Sequence, residues 1–489
     1  MILPTTSRSN LQWVFTESVA NNFLDPSQIS ENQNWLNAIV PGTVALSLQC
    51  LNLWDINQNK NFDSSDWWYR CNFNLEKKDT KYLYLNGLAS LCDIWLNDKK
   101  ILSTDNMFRS YKVDISDTLQ DANTIYLCFR SLTKNLELKR SRPAWKTKLV
   151  NNQQLRWLRT SLLGKIPGWT PPVSAVGPWK SVNLSSGNDL DNINIQNNLK
   201  DNGIGQVLFS CNFIKNTKMP NKAIITINNQ QFELNIISKK TSIEINGDIN
   251  VTNIKAWMPH THGKSNLYEV KLELEFSTDS IVYSLTNIGF KNTHLEMNGN
   301  DFSINVNGKK IFCRGAVWTT NDIVSHTGEF KELHKTLSLM KNSGANMIRI
   351  GGTMCYEQEE FYTICDELGI MIWQDFMFAN MDYPSNDEHF LKSVTEEIKQ
   401  QVNRFSSHPC ITLYCGNSEI QQQVSMLGLT KNTYNNNLFD EIIPAICSEK
   451  HKSIPYIAST PIGGTLPIHT DKNLSHYYGV GAYLSDISE

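Results

Sequence analysis

The chain has 489 residues and a net charge of −3, room for about three domains, and that charge gives no reason to expect nucleic acid or an anionic membrane as a partner. Its 40% hydrophobic and 19% charged residues are the balance of an ordinary globular protein. No apolar run approaches the roughly 20 residues of a membrane-spanning helix, and MILPTTSRSNLQW puts no charged segment ahead of an apolar core, so no secretory signal is expected.

From about residue 10 to 185 the text consists of short alternating apolar runs, such as YLYLNGL, CDIWLNDKK, YKVDI and TIYLCF, separated by Asn-Gly and Asn-Asp turns. That pattern predicts antiparallel strands, and two packed sheets are the economical way to bury one face of each. Residues from about 188 to 290 repeat the style on a smaller scale (QVLFSCNF, AIITINN, YEVKLELEF), the size of one immunoglobulin-like sandwich. After Asn307-Gly308 the pattern changes. KIFCRGA, NMIRI, GIMIWQD, ITLYC and PYIAS read as strands, and helical spacing covers 329–343, 356–368, 390–405 and 434–447. Strands alternating with helices of this length predict a parallel βα array. Five units are countable and SHYYGVGAYL begins a sixth, whereas a closed (β/α)8 barrel needs eight. The expectation is a barrel cut short at Glu489.

The 11 cysteines form no Cys-x-x-Cys pair, so neither a zinc site nor any other cofactor is expected. Most lie inside apolar patterns, as Cys128 does in IYLCF, which fits reduced thiols in a cytoplasmic protein. In a βα barrel the chemistry sits at the carboxyl ends of the strands. There the sequence places Arg314, Arg349, Gln374, Asp375 and, two residues past Asn417 in ITLYCGNSE, Glu419. Carboxylates, arginine and aromatics without metal-ligand spacing suit acid–base work on a neutral polar substrate. The alternative for Arg349 and Asp375 is a structural ion pair under the barrel rim. His260 and His262 of WMPHTHG read as structural. Asp66, Trp67 and Trp68 read as interdomain packing, and Arg156, Trp157 and Arg159 as candidates for a loop reaching the site.

Longer motifs carry a resemblance. WLNAIVPGTV (35–44), SDWWYRCNF (65–73), YLNGLASLCDIWLND (84–98), DNMFRSYKVDI (105–115), NVNGKKIFCRGAVW (305–318) and CDELGIMIWQDFMFAN (365–380) resemble glycoside hydrolase family 2, in its β-mannosidase-like branch. The resemblance implies a galactose-binding-like jelly roll over 1–187, an immunoglobulin-like sandwich over 188–292 and a (β/α)8 barrel over 293–489, incomplete at its C-terminus. It implies a retaining exo-β-glycosidase using two carboxylates about 5 Å apart. The alternative is a carbohydrate-binding protein of the same fold that has lost catalysis. Glu419 aligns with the family's acid/base, and Arg349 with an arginine that keeps the nucleophile ionised. Asn417, Ser418, Trp373, Gln374, Asp375, Trp169 and Tyr478 fall where the family binds its sugar, and His476 near the nucleophile. The nucleophile itself is expected beyond Glu489. The expected partner is a β-linked oligosaccharide or glycoside, with a homodimer left open. Four positions depart from the β-mannosidase pattern: Ser418 stands for Asn, Gly351 for Trp, Thr170 for the Asp after Trp169, and Leu427 for Trp.

Overall fold

The computed structural model describes residues 11–74, 81–185, 190–214, 219–240, 242–430, 433, 436–463, 469 and 471–476. Its first module is a two-layer sandwich: a six-stranded antiparallel sheet faces a three-stranded one. Strand Ser65–Asn74 shows why. Its alternate residues Trp67, Tyr69 and Cys71 enter the core between the sheets with Phe15, Leu85 and Ile125, as period-two geometry requires. Trp68 points to the other face and stacks on Trp95, with ring centroids 5.3 Å apart. Asp66 is buried against Arg130 and the Ser131 amide. These three residues therefore pack within the first module, not between modules as the sequence suggested. The second module pairs two four-stranded antiparallel sheets around Val207, Phe209, Ile225, Ile245 and Leu272.

The third module opens with a small antiparallel sheet, Thr293–Glu296, Ser303–Val306 and Lys309–Ile311. A parallel sheet follows: β1 (Gly315–Trp318), β2 (Met347–Ile350), β3 (Met371–Asp375), β4 (Ile411–Cys415) and β5 (Tyr456–Ile457), in that order. Helices α1 (Phe330–Asn342), α2 (Glu359–Leu368) and α3 (Glu388–Phe405) alternate with the first four strands, and α4 (Ile420–Met426) and α5 (Ile443–Lys450) both lie between β4 and β5. Among the described residues no further strand closes this sheet. KIFCRGA divides: Lys309–Ile311 belongs to the antiparallel sheet, and β1 starts only at Gly315. Arg314 therefore sits at the amino end of β1, where its carbonyl accepts from the Asn346 and Met347 amides. It is at the opposite end of the sheet from Glu419, and the expectation that it faced the site is corrected.

α3 joins all three modules. Its Gln400 accepts from the Ser110 amide of the first (2.8 Å) and its Asn403 donates to the Ile193 carbonyl of the second (2.7 Å). The loop after β1 docks on the first module through Thr43, whose hydroxyl donates to the Val324 carbonyl. In that loop His326 is fully buried at φ 57°, and neither ring nitrogen has a hydrogen-bond partner among the described residues. Burial pushes its pKa down to about 4, with Asp322 opposing and Lys165 assisting. The fold thus holds the neutral ring, whereas the unfolded chain takes up a proton near pH ~6.5. The associated stability is present above that pH and is lost as pH falls toward 4. Asn also tolerates positive φ, so His326→Asn isolates the effect. Between those pH values the stability advantage of wild type over the variant should shrink by about 1.4 kcal/mol per pH unit, measured from urea midpoints. An advantage that does not change with pH contradicts this.

Candidate active site

β2, β3 and β4 are buried on both faces, and period two decides which side chains meet inside the sheet's curve. In register, Arg349 lies beside Trp373, and Asp375 beside Cys415. The Arg349 guanidinium donates to both Asp375 oxygens, from Nε at 3.3 Å and from Nη2 at 2.6 Å, and Nη2 also donates to Ser418 Oγ at 3.0 Å. The Gly352 amide adds a fourth bond, to Asp375 Oδ2 at 3.2 Å. A side chain at Gly352 is excluded, because its Cβ would stand 2.1 Å from the Phe378 carbonyl oxygen. Burial alone would depress the Arg349 pKa, but the charge of Asp375 and its hydrogen bonds outweigh this and raise it. The ion pair the sequence left open is thus present, with Ser418 as its third member.

Glu419 comes immediately after, as the residue that starts α4. Its φ is +63°, in the left-handed region; the other non-glycine residues with positive φ among those described are asparagines and His326. An unbranched acid held there costs about 1–3 kcal/mol unless its surroundings impose it. Here they do. The Glu419 amide donates to the Thr460 carbonyl (2.8 Å) and its carbonyl accepts from the Gln423 amide (2.9 Å). The neighbouring Asn417 braces this turn: its Nδ2 donates to the Ala458 carbonyl (2.8 Å), while its Oδ1 accepts from the Ile420 amide and from Ser459. Glu419 Oε1 lies 3.0 Å from His476 Nδ1, and His476 Nε2 lies 3.2 Å from Thr460 Oγ1. The carboxylate is thereby aimed by two segments distant in sequence, and about a fifth of it stays exposed.

The remaining expected residues divide. Trp373 lies one layer deeper than Asp375 and stacks on Phe302 at 5.9 Å. Gln374 is on the opposite face of β3: it accepts from Tyr362 of α2 at 2.7 Å and is fully buried. Trp169 is half-exposed and, with Leu162, Thr170, Thr319, Thr353 and Met354, lines a cavity of about 110 Å³ beside the ends of β1 and β2. Tyr478 lies outside the described residues. Asn417 is a brace of the turn, and no local pattern signalled that His476 would meet Glu419. Asn380 was also missed: it is fully buried at φ 57°, its amide donates to the Ser418 carbonyl, and its side-chain atoms have no partner among the described residues. A cleft of about 1460 Å³ lies elsewhere, between the modules, along Trp13, Tyr111, Asn194 and Gln400. His408 bridges Asp366 (2.6 Å) and Glu359 (2.8 Å), and burial opposes but those charges raise its pKa to about 9. With both ring nitrogens within hydrogen-bond distance of carboxylates the imidazolium is favoured, and a metal at the Asp366–His408–Cys410 cluster would have to displace its proton.

Among known proteins, a β-mannosidase of Rattus norvegicus is 27% identical over 475 residues, covering 88% of this chain and 54% of that protein. A β-mannosidase B of Aspergillus niger is 28% identical over 425 residues, covering 78% and 50%. The chain thus spans about half the length of the curated relatives it matches. In three dimensions it is similar to a β-D-mannosidase from Dictyoglomus thermophilum (TM-score 0.85, 24% identity, 99% of this chain and 61% of that one). An exo-chitosanase from Amycolatopsis orientalis gives a TM-score of 0.66 at 16% identity over 92% of this chain and 52% of that one. The family models for the glycosyl hydrolase 2 galactose-binding domain-like module and the family 2 TIM barrel match residues 13–180 and 297–433. With both modules matched in order around the strand ends that hold Arg349, Asp375 and Glu419, the chain belongs to glycosyl hydrolase family 2.

Proposed function

We propose that the protein is a retaining exo-β-glycosidase of the β-mannosidase type, with Glu419 as acid/base. The observation that carries this reading is the imposed left-handed turn at Glu419, which sets a carboxylate at the carboxyl end of β4, next to the Arg349–Asp375–Ser418 cluster. In this reading Glu419 protonates the glycosidic oxygen as it leaves, then takes a proton from the water that attacks the glycosyl–enzyme. His476 steers its Oε1. Asp375 has both oxygens bonded to Arg349 and Gly352, so its role is to hold Arg349, whose fixed charge stabilises anionic groups around it. The reading places the nucleophile outside the described residues. A cytoplasmic setting is supported by the 11 cysteines, all unpaired, nine of them buried.

The sugar is the finer question. Ser418 is occupied by Arg349, and Gly351 offers no aromatic wall, so the grip on the substrate's C2 hydroxyl is weaker than an amide and an indole would make it. The whole protein should hydrolyse an aryl β-mannoside with retention, yet favour it over the β-glucoside and β-glucosaminide by less than about 100-fold in kcat/KM. NMR of the first-formed anomer and steady-state rates on the three glycosides check both points. A preference above about 10⁴ would mean that other residues supply the C2 recognition. Binding of these sugars without hydrolysis would instead favour the carbohydrate-binding reading.

A further inference from the structure

The segment Lys139–Lys148 reads KRSRPAWKTK: five cations and no acid within ten residues, in a chain whose net charge is −3. Arg140 is committed to Asn135, bonding its carbonyl (3.0 Å) and its side-chain oxygen (2.5 Å). Lys139, Arg142, Lys146 and Lys148 are exposed and make no ion pair among the described residues. The segment is nevertheless pinned. Trp145 is buried in the same core as β2, β3 and β4. The Ala144 amide donates to Asp382 Oδ2 at 2.6 Å, and Thr147 Oγ1 donates to Gln423 Oε1 at 3.4 Å. Gln423 is the residue whose amide closes the first turn of α4 onto Glu419, and Asp382 lies two residues past Asn380, which is bonded to Ser418. The segment that carries four unpaired cations is therefore anchored, through Ala144 and Thr147, to the two loops that flank the candidate site. Asp382 is the acid packed against the segment, and Arg156 already neutralises it at 3.6 Å.

We propose that this segment is a binding site for the anionic groups of an acidic glycan, a carboxylated or sulfated oligosaccharide whose reducing-end units pass over it. The proposal rests on the glycosidase reading for its placement of the sugar chain. An acidic glycan fits better than nucleic acid or a lipid surface. The indole of Trp145 is buried, and the faces of Trp157 carry Arg140 and Arg156, so neither indole next to these cations is free to stack bases. Membrane insertion needs a row of apolar side chains, and Leu138 is the exposed large hydrophobic residue of the segment's vicinity. Exposed cations act within a Debye length, about 8 Å at physiological salt, so the effect is additive, modest per residue and salt-sensitive.

The test is calorimetric titration of Glu419→Gln, in which turnover of the ligand is strongly slowed, with a β-1,4-linked mannuronate tetrasaccharide and with neutral β-1,4-mannotetraose. The acidic tetramer should bind about tenfold more tightly at about 50 mM salt, and the gap should close near 500 mM. The variant K139S/R142S/K146S/K148S, in the same background and with unchanged circular dichroism, should lose the gap and keep its affinity for the neutral tetramer. Three results overturn the proposal: equal affinities at low salt, a gap that survives the fourfold variant, or a single-stranded oligonucleotide of equal charge binding as tightly as the mannuronate. Hydrolysis of aryl β-glycosides by the protein with an intact Glu419 is scored separately. Failure there with the acidic preference intact removes the catalytic reading and leaves the basic site standing.

Discussion

Replacing Glu419 by glutamine in the whole protein should cut kcat/KM by about 10³-fold for a glycoside with a poor leaving group, and far less for an aryl glycoside with an acidic phenol. The amide keeps the shape of the side chain, so the left-handed turn and the Thr460 contact should survive. What it removes is the transferable proton. An acidic phenol departs without that proton, so its cleavage step is spared. Hydrolysis of the glycosyl–enzyme then lacks a base, and added azide, which needs none, should restore turnover and yield the β-glycosyl azide. A series of aryl glycosides of graded phenol acidity gives the slope directly. Equal loss across the series without azide rescue rules Glu419 out as acid/base.

Arg159→Met should unfold the protein more easily by about 3–5 kcal/mol, an effect on stability rather than on chemistry. Arg159 donates from Nη2 to Glu397 Oε1 at 2.6 Å and from Nε to Oε2 at 2.8 Å, and both side chains are almost wholly buried. Asn106 and Tyr356 complete the shell of Glu397, at 2.9 Å each, and Arg159 also caps the Met377 carbonyl at 2.7 Å. Burial alone would lower the Arg159 pKa; the Glu397 charge more than offsets it. Methionine fills the stem of the arginine but strands a buried carboxylate, which carries most of the penalty. The double variant Arg159→Met/Glu397→Leu should recover much of the loss. Urea midpoints of the three proteins provide the check, and a single variant within about 1 kcal/mol of wild type would place the pair in the class of surface ion pairs.

Much of the architecture is written in local pattern. Period-two alternation in SDWWYRCNF and the shift to helix-spaced text after Asn307-Gly308 require only neighbouring residues, and both correspond to observed elements. What resists local reading is orientation. In MIWQD every residue is buried, so hydrophobicity cannot tell Asp375, bonded to Arg349, from Gln374, bonded to Tyr362 on the other face. Arg314 changed ends of the sheet because a three-residue antiparallel strand precedes β1, and nothing in KIFCRGA marks the break. Glu419 was legible as the end of a strand through its motif, but its left-handed backbone is imposed by Thr460, which lies beyond the reach of any window. His476 touches Glu419 across 57 positions, a distance at which one sequence carries no signal.

The bond between Arg159 and Glu397 spans 238 positions, and that between Ser110 and Gln400 spans 290. A ribosome adding about 5–20 residues per second needs roughly 12–50 s to deliver Glu397 after Arg159 has emerged. Throughout that interval the first sandwich can close its own sheets, but its guanidinium, Asn106 and the apolar underside of the 155–163 loop have no partner to meet. The nascent protein is therefore a folded head carrying an unsatisfied seam, and synthesis of α3 is the event that seals it. Slowing translation between residues 160 and 397 lengthens the life of that species and, with it, the demand on chaperones that bind exposed apolar surface.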